Sequence, residues 1–190
     1  GYRVHLANTS AIKHYEGLKH SGDESDAAYL AHLLRLGILR TGHIYPKEQR
    51  GTRDLSRKRM QLVRRRTQHI LAVETIVARE TALPIKSNQV KRLTEKTVLA
   101  LGLRPDVDLA VQSNVAVIQT LNQQIDKLET RLRERVDQSC EYELLTTTPG
   151  IGQALGTSIL LETGAIERFR EVGNFASYAR CVDSVRLSNG

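Results

Sequence analysis

Residues 106–139, "DVDLAVQSNVAVIQTLNQQIDKLETRLRERVDQS", carry the most regular pattern in the chain. Apolar side chains recur at steps of three or four residues, at Val111, Val115, Ile118, Leu121, Ile125, Leu128 and Leu132. Polar and charged residues fill most of the positions between them. This spacing predicts a long helix with a heptad seam of about three repeats along one face.

A second long helix is predicted over residues 47–83, which contain no proline and one glycine. Its apolar residues also recur at helical spacing, at Leu55, Leu62, Ile70, Val73, Ile76 and Val77. The seam serves two arrangements equally well. It packs against this helix in an intramolecular hairpin, or against a second chain in a dimeric coiled coil that makes the protein a homo-oligomer.

Composition favours a mainly α fold, because aromatic residues make up only 4% of the 190 residues and aliphatic residues carry the apolar content. Cys140 and Cys181 are too few for a disulfide framework or a zinc cluster. No apolar run approaches the ~20 residues of a membrane helix, and no signal peptide is visible. We therefore expect a cytoplasmic protein, bacterial or archaeal, with no membrane partner.

The positive charge is concentrated in one segment. Net charge is +7, and residues 47–66 hold nine cations against two anions, so the rest of the chain sums to zero. A basic helix of this kind indicates a polyanionic partner such as DNA or RNA. The candidate phosphate-binding residues are Arg57, Lys58, Arg59, Arg64, Arg65 and Arg66.

The N-terminal segments are shorter. Residues 2–7 alternate and predict a strand, and residues 10–22 predict a short helix ended by glycine. "DESDAAYLAHLLRLG", residues 23–37, predicts a clearer helix with Asp23 and Asp26 in its first turn. Residues 83–105 predict a connector with a short helix near its end.

A Pro-Gly-Ile-Gly sequence interrupts two helical segments in "TTTPGIGQALGTSILLETG", residues 146–164. It fits neither the dinucleotide fingerprint nor the Walker loop, because the third glycine of the first and the lysine of the second are missing. We predict a helix over residues 141–147, a tight turn, and a helix over residues 153–162. In the turn, Gly150 and Gly152 permit positive φ and Ile151 points inward; in the second helix, Ala154, Leu155, Ile159 and Leu160 face the core.

This arrangement resembles the helix-hairpin-helix motif of DNA-binding proteins. Gly150, Ile151 and Gly152 would bring backbone close to a phosphate, which the N–H groups at the start of the second helix would bind. Such contacts recognise the sugar–phosphate backbone rather than base sequence. A plain helical hairpin with a glycine turn is the alternative.

The carboxylates of Asp23 and Asp26 lie three residues apart and therefore share one helical face. With further acids they would hold a hard ion, Mg²⁺ or Mn²⁺, through oxygen. The alternative is that they only favour the helix start through its dipole.

Three stretches together resemble one family, the insertion-sequence transposases that have a RuvC-like DEDD domain and a C-terminal transposase domain. They are "DESDAAYLAHLLRLG", "RDLSRKRMQLVRRRTQHI" and the segment from "LLTTTPGIGQALGTSILLETGAIERF" to "NFASYARCVDSVRLSNG". These enzymes are also described as bridge-RNA-guided recombinases. The resemblance implies three regions: residues 1–46, the C-terminal part of an α/β RNase H-like domain; residues 47–139, long helices or coiled coil; and residues 140–190, a truncated transposase domain.

The resemblance implies that Asp23 and Asp26 match the last two acids of the DEDD set and hold Mg²⁺. It also implies that Ser188, in "LSNG", attacks the scissile phosphate. Ser21 and Gly22 replace a Lys-Thr pair common among relatives, and the expected basic tail after Ser188 is absent. A Ser before Asn-Gly is otherwise typical of a turn.

The function implied is DNA transposition and recombination, with DNA and a guide (bridge) RNA as partners. The alternatives are a non-catalytic helix-hairpin-helix binding module and a RuvC-like metal-dependent nuclease that uses water. The chain begins at Gly1 rather than Met, and the first two acids of the set are absent from it. We therefore expect a fragment that is inactive by itself.

Overall fold

Long helices dominate the part of the chain that the computed structural model describes, which is residues 2–8, 12 and 22–182. The chain divides into two units, Gly1–Lys47 and Glu48–Gly190. The mainly α prediction is confirmed, and no strand forms among the described residues.

The first unit contains one described helix, α1, at Asp23–Arg35, which confirms the prediction for this segment. It ends where Gly37 adopts a φ of +70°, a conformation that suits glycine. The predicted strand over residues 2–7 is wrong. These residues form only an isolated antiparallel bridge, Ala7 with Thr41, with one hydrogen bond on each side of it. The predicted helix over residues 10–22 lies mostly outside the described residues.

In the second unit, two long helices confirm the main predictions: α2 at Lys47–Thr81 and α5 at Pro105–Val136. Between them lie α3 at Ser87–Val90 and α4 at Glu95–Leu99, so the predicted connector holds two short helices rather than one. Helices α2 and α5 run antiparallel, because contacts from Arg59, Arg66 and His69 reach Glu129, Asn122 and Asn114 in that order.

The seam of α5 is therefore filled within one chain. Around its N-terminal half, one apolar cluster joins α2, the connector and α5, through Ile70, Val73, Val77, Val90, Leu93, Val98, Val111, Val115 and Ile118. Leu121 and Leu128, which were also assigned to the seam, are only half-buried. The intramolecular hairpin is the arrangement observed, and association of two chains stays a prediction.

The C-terminal segment adds α6 at Cys140–Thr147, α7 at Gln153–Thr163, a 3-10 turn at Ile166–Arg168 and α8 at Val172–Tyr178. A second apolar cluster attaches it to the end of α5. Its buried members are Leu132, Val136, Tyr142 and Leu161, with Leu55 and Leu160 partly buried against them. The helical hairpin of α6 and α7 thus packs against the open end of the α2–α5 hairpin, where α2 begins and α5 ends.

Within the described ranges, no helix combines the length and the apolar character needed to cross a bilayer.

Ile118 is 1% exposed in the first cluster, whereas Leu109 on the same helix is 65% exposed. Ile118→Ala is expected to lower the free energy of unfolding by about 2–5 kcal/mol, because it removes buried methylene contacts and leaves a cavity. The matched variant Leu109→Ala is expected to change it by about 0.5 kcal/mol or less. Equilibrium unfolding in urea measures both, and equal effects would contradict the assigned face of α5.

Candidate nucleic-acid interface

The turn between α6 and α7 has the predicted Pro-Gly chemistry. Thr148, the residue before Pro149, leaves the helix with ψ of 125°, as a residue before proline favours. Gly150 takes φ of +88°, which L side chains rarely adopt. Gly152 does not: its φ of −80° and ψ of 174° are extended. Of the two glycines predicted to permit positive φ in the turn, only Gly150 adopts it.

Helix α7 presents a different face to the core from the one predicted. Ala154 and Leu155 are exposed, the latter at 50%, while Gly156, Thr157 and Leu161 are buried. Ile159 and Leu160 are half-buried. Ile151 in the turn is also half-buried, in agreement with the prediction that it points inward.

The physical reason is the close approach of α7 to α6 at Gly156. A Cβ there would lie 3.2 Å from Cγ2 of Thr146 and 3.5 Å from Cε2 of Tyr142. A Cβ contact of 3.2 Å is tighter than most, so the missing side chain of Gly156 favours this close approach of the two helices. The apolar pattern of α7 predicted that its larger side chains face the core. The contact with α6 instead places Gly156, its smallest residue, on the buried face.

The start of α7 is open to an anion. Gly152 is the N-cap and supplies no side-chain hydrogen bond. The first N–H groups of a helix have no acceptor within it, so those of Gln153 and Ala154 point outward from the helix start. Both residues are exposed. Such a helix end favours negative charge through its amides and its dipole.

The six predicted cations of α2 divide between two faces. Arg57, Lys58, Arg64 and Arg65 are exposed, whereas Arg59 and Arg66 are half-buried. Residues 59, 66, 70, 73 and 77 are spaced by seven, four, three and four, so Arg59 and Arg66 occupy the core-facing stripe of the helix.

Both inner arginines contact α5. Arg59 pairs with Glu129, with Nε 2.8 Å from Oε1, and Nη1 of Arg66 donates to Oδ1 of Asn122 at 2.8 Å. Nε of Arg66 is buried with no hydrogen-bond partner among the described residues. The sequence pattern assigned all six cations to phosphate binding and did not predict this division. We retain only the four outer cations as candidate phosphate ligands.

Among the described residues, the side-chain hydrogen bonds of three outer cations are made within α2. Lys58 donates to Gln61 at 3.0 Å, Arg65 donates to Gln68 at 3.2 Å, and Arg64 lies 3.6 Å from the sulfur of Met60.

The fourth outer cation, Arg57, reaches across to α7. Its Nε and Nη2 donate to the two carboxylate oxygens of Glu162, each at 2.6 Å. This bidentate hydrogen bonding lowers the pKa of Glu162 and raises that of Arg57. The pair links the cationic helix to the helix that follows the glycine turn.

Glu162 is also connected to the segment after α7. The Tyr178 hydroxyl donates to the carbonyl of Glu162 at 2.7 Å. The guanidinium of Arg168 lies 4.0 Å from the ring centre of Phe169 and 4.4 Å from that of Tyr178, and it donates to the carbonyl of Thr163. These contacts hold α8 against the end of α7.

The predicted metal ligands Asp23 and Asp26 are both exposed in the first turn of α1. Within residues 2–8, 12 and 22–182, no cluster of three or more Asp, Glu, His or Cys residues is suited to a metal ion. The two carboxylates fit the way Mg²⁺ is often held, by one or two carboxylates plus water and substrate phosphates. The predicted nucleophile Ser188 lies outside the described residues.

Sequence reasoning missed the polar partners Asn122, Glu129 and Glu162. A signal existed for the first two, since Asn122 and Glu129 are seven residues apart, each three residues before an apolar seam residue, Ile125 or Leu132. That spacing matches the spacing of Arg59 and Arg66 on α2. Glu162 carried no such signal, because its contact depends on how α7 packs.

Because folding lowers the pKa of Glu162, its ion pair stabilises the protein above the ordinary glutamate pKa of about 4.3, and this contribution is lost as pH falls through the lower folded value. The side chains of Arg57 and Glu162 are 53% and 36% exposed, so solvent screening limits the effect. Glu162→Gln is expected to cost at most about 1 kcal/mol at pH 7 and low salt, and this cost is expected to disappear as pH falls below the lowered pKa of Glu162.

Unfolding measured against pH and salt tests this. The control is Glu134→Gln, which breaks a pair within a single helix, Arg131–Glu134, and is expected to cost less. A Glu162→Gln deficit that grows on acidification would contradict the assigned pair.

Comparison with known proteins gives one match. Residues 142–190 match the model of the Transposase IS116/IS110/IS902 family. No curated protein and no solved structure matches the chain. The matched region starts at Tyr142, within α6, and includes the glycine turn, α7 and the segment after it. The match supports an insertion-sequence transposase.

Proposed function

We propose that this chain belongs to a DNA transposase of an insertion sequence, which cuts and rejoins DNA strands. The observation that carries the proposal is the transposase-family match over residues 142–190. The matched residues include a turn in which a positive-φ glycine, Gly150, precedes the uncapped start of α7. The cationic outer face of α2 is joined to the same helix by Arg57 and Glu162.

These two surfaces would together bind a nucleic acid. The turn formed by Gly150, Ile151 and Gly152 resembles a helix-hairpin-helix, and its backbone amides would contact one phosphate. The outer cations of α2 would contact others. Contacts of this kind release counterions, so binding is expected to weaken steeply as salt rises.

In the proposed chemistry, Oγ of Ser188 attacks a backbone phosphorus. The Oγ–P bond forms as one P–O bond of the DNA breaks. The serine proton passes to a base, and the departing DNA oxygen gains a proton. Because the phosphodiester energy is kept in the serine–DNA bond, attack by a DNA hydroxyl rejoins strands without ATP. A neutral serine is a weak nucleophile, so this step needs activation.

The proposed metal is Mg²⁺ or Mn²⁺, held by Asp23 and Asp26 together with acids supplied from outside this chain. When bound, it would neutralise charge on the reacting phosphate. The contribution of this chain is to present both carboxylates from one turn of α1.

Guidance by a bridge RNA and assembly of several chains complete the proposal. Assembly would bring the acids and the serine together from different subunits. Because the α5 seam is filled by α2 within the chain, an oligomer would use other faces or exchange α2 between chains.

A non-catalytic binding module is the second candidate. It is favoured by one observation, that both proposed phosphate-binding surfaces lie within the described second unit. A RuvC-like nuclease that uses water is the third, favoured by the paired carboxylates of α1.

Ser188→Ala tests the proposal in the protein translated from the complete reading frame that encodes this chain. We expect the wild-type protein to form a covalent adduct with DNA in the presence of Mg²⁺, and the variant to lose it entirely, because only the serine oxygen joins protein to phosphate. Denaturing electrophoresis of labelled DNA measures the adduct.

Ser184→Ala, four residues earlier in the same segment, is the matched control and should keep the adduct. Cutting that persists without an adduct would favour the nuclease. DNA binding with neither cutting nor adduct in the wild-type protein would favour the binding module.

A further inference from the structure

Helix α2 contains a short sequence repeat, which is apparent once its inner and outer cations are distinguished. Residues 57–61 read Arg-Lys-Arg-Met-Gln and residues 64–68 read Arg-Arg-Arg-Thr-Gln, seven residues later. Each copy has three cations followed, after one residue, by a glutamine. In each copy the third cation, Arg59 or Arg66, faces α5 and the other two are exposed.

The outer part of each copy has the same layout around the helix axis. At about 100° per residue, Gln61 lies roughly 40° from Arg57 on one side and roughly 60° from Lys58 on the other. Gln68 has the same relation to Arg64 and Arg65. Each glutamine therefore lies between two rows of positive charge.

The side-chain hydrogen bonds repeat as well. Oε1 of Gln61 accepts from Lys58, and Oε1 of Gln68 accepts from Arg65. The carboxamide oxygen of each glutamine thus accepts a hydrogen bond from a cation. The two N–H donors of its NH₂ group remain for a partner outside the helix.

This face is formed by α2 alone. A shallow groove of about 440 Å³ runs along it, and the residues that line it all belong to this helix: Arg57, Met60, Gln61, Arg64, Arg65 and Gln68. No carboxylate among the described residues forms an ion pair with Lys58, Arg64 or Arg65. The exposed charge is therefore available to a polyanion.

We infer that residues 57–68 of α2 enter the major groove of duplex DNA, where Gln61 and Gln68 contact base edges and the flanking cations Lys58, Arg64 and Arg65 contact phosphates on both strands. This inference rests on the proposed DNA-binding function and adds base recognition to it. The N–H donors of the glutamines fit N7, the acceptor that both purines present in that groove, whereas cytosine presents a donor there and thymine places a methyl group beside its single acceptor.

The spacing fits stacked base pairs. Seven helical residues rise about 10.5 Å, which corresponds to about three base pairs at 3.4 Å each. We therefore expect a preference for purines at two positions about three base pairs apart. The width of the B-DNA major groove admits an α-helix, whereas the deep, narrow major groove of A-form RNA does not.

The experiment is selection of duplex DNA from a randomised pool by the 190-residue chain, followed by sequencing. The wild-type chain is expected to enrich the two purines roughly tenfold each. Gln61→Ala with Gln68→Ala should lose the enrichment while keeping its affinity for unselected duplex within about twofold, since phosphate contacts carry non-specific binding.

Two matched variants complete the design. Gln123→Ala with Gln124→Ala, exposed glutamines of α5, should enrich the same site as the wild-type chain. Arg64→Gln with Arg65→Gln should weaken binding to all sequences and reduce the slope of log affinity against log salt by about two, whereas Lys127→Gln with Arg135→Gln, exposed cations of α5, should not.

The outcomes separate the two proposals. Binding of duplex DNA without enrichment, or enrichment unchanged in the Gln61 and Gln68 variant, overturns the base-reading inference and leaves the DNA-binding function standing. Equal affinity for duplex RNA of the selected sequence overturns it as well. Failure of the chain to bind any DNA at low ionic strength overturns the proposed binding of DNA phosphates itself.

Discussion

The antiparallel pairing of α2 with α5 is the constraint on which the second unit depends. At one end the pairing is apolar, around Val73 and Ile118, which are 0% and 1% exposed. At the other end Arg59 and Arg66 occupy the same helical face and need polar partners on α5. Because even a half-buried charge is costly without a partner, the contacts with Glu129 and Asn122 favour one register of the two helices. That register decides which arginines face outward.

The C-terminal hairpin depends on the same register. Leu132 and Val136, at the end of α5, form the surface on which Tyr142 and Leu161 pack. Once α7 is in place, Glu162 reaches Arg57 on the outer face of α2. The glycine turn and the cationic helix are therefore parts of one structure, and a nucleic acid bound at either one contacts an element linked to the other. Under the proposed function, both elements would contribute to one extended DNA-binding surface.

Helix positions could be predicted from the sequence because the apolar spacing, the glycines and the prolines act locally. Helices α1, α2, α5, α6 and α7 all lie within a few residues of their predicted ranges. Tertiary choices could not be predicted in the same way. The seam of α5 specified a contact face without specifying its partner. The buried face of α7 follows from the approach to α6 at Gly156, which hydrophobicity alone does not report. The catalytic assignments of Asp23, Asp26 and Ser188 rest on resemblance and stay predictions.

Cross-linking of isotopically mixed chains tests the central claim most directly, that the α5 seam is filled by α2 of the same molecule. His69 and Asn114, whose polar atoms lie 2.9 Å apart, would each be changed to cysteine in a chain in which Cys140 and Cys181 are serine. Light and ¹⁵N-labelled chains would be mixed, unfolded, refolded together, treated with a short bis-maleimide and analysed by mass spectrometry. The structure predicts that cross-linked peptides pair light with light and heavy with heavy at every protein concentration. Mixed light–heavy pairs in the statistical proportion would contradict it.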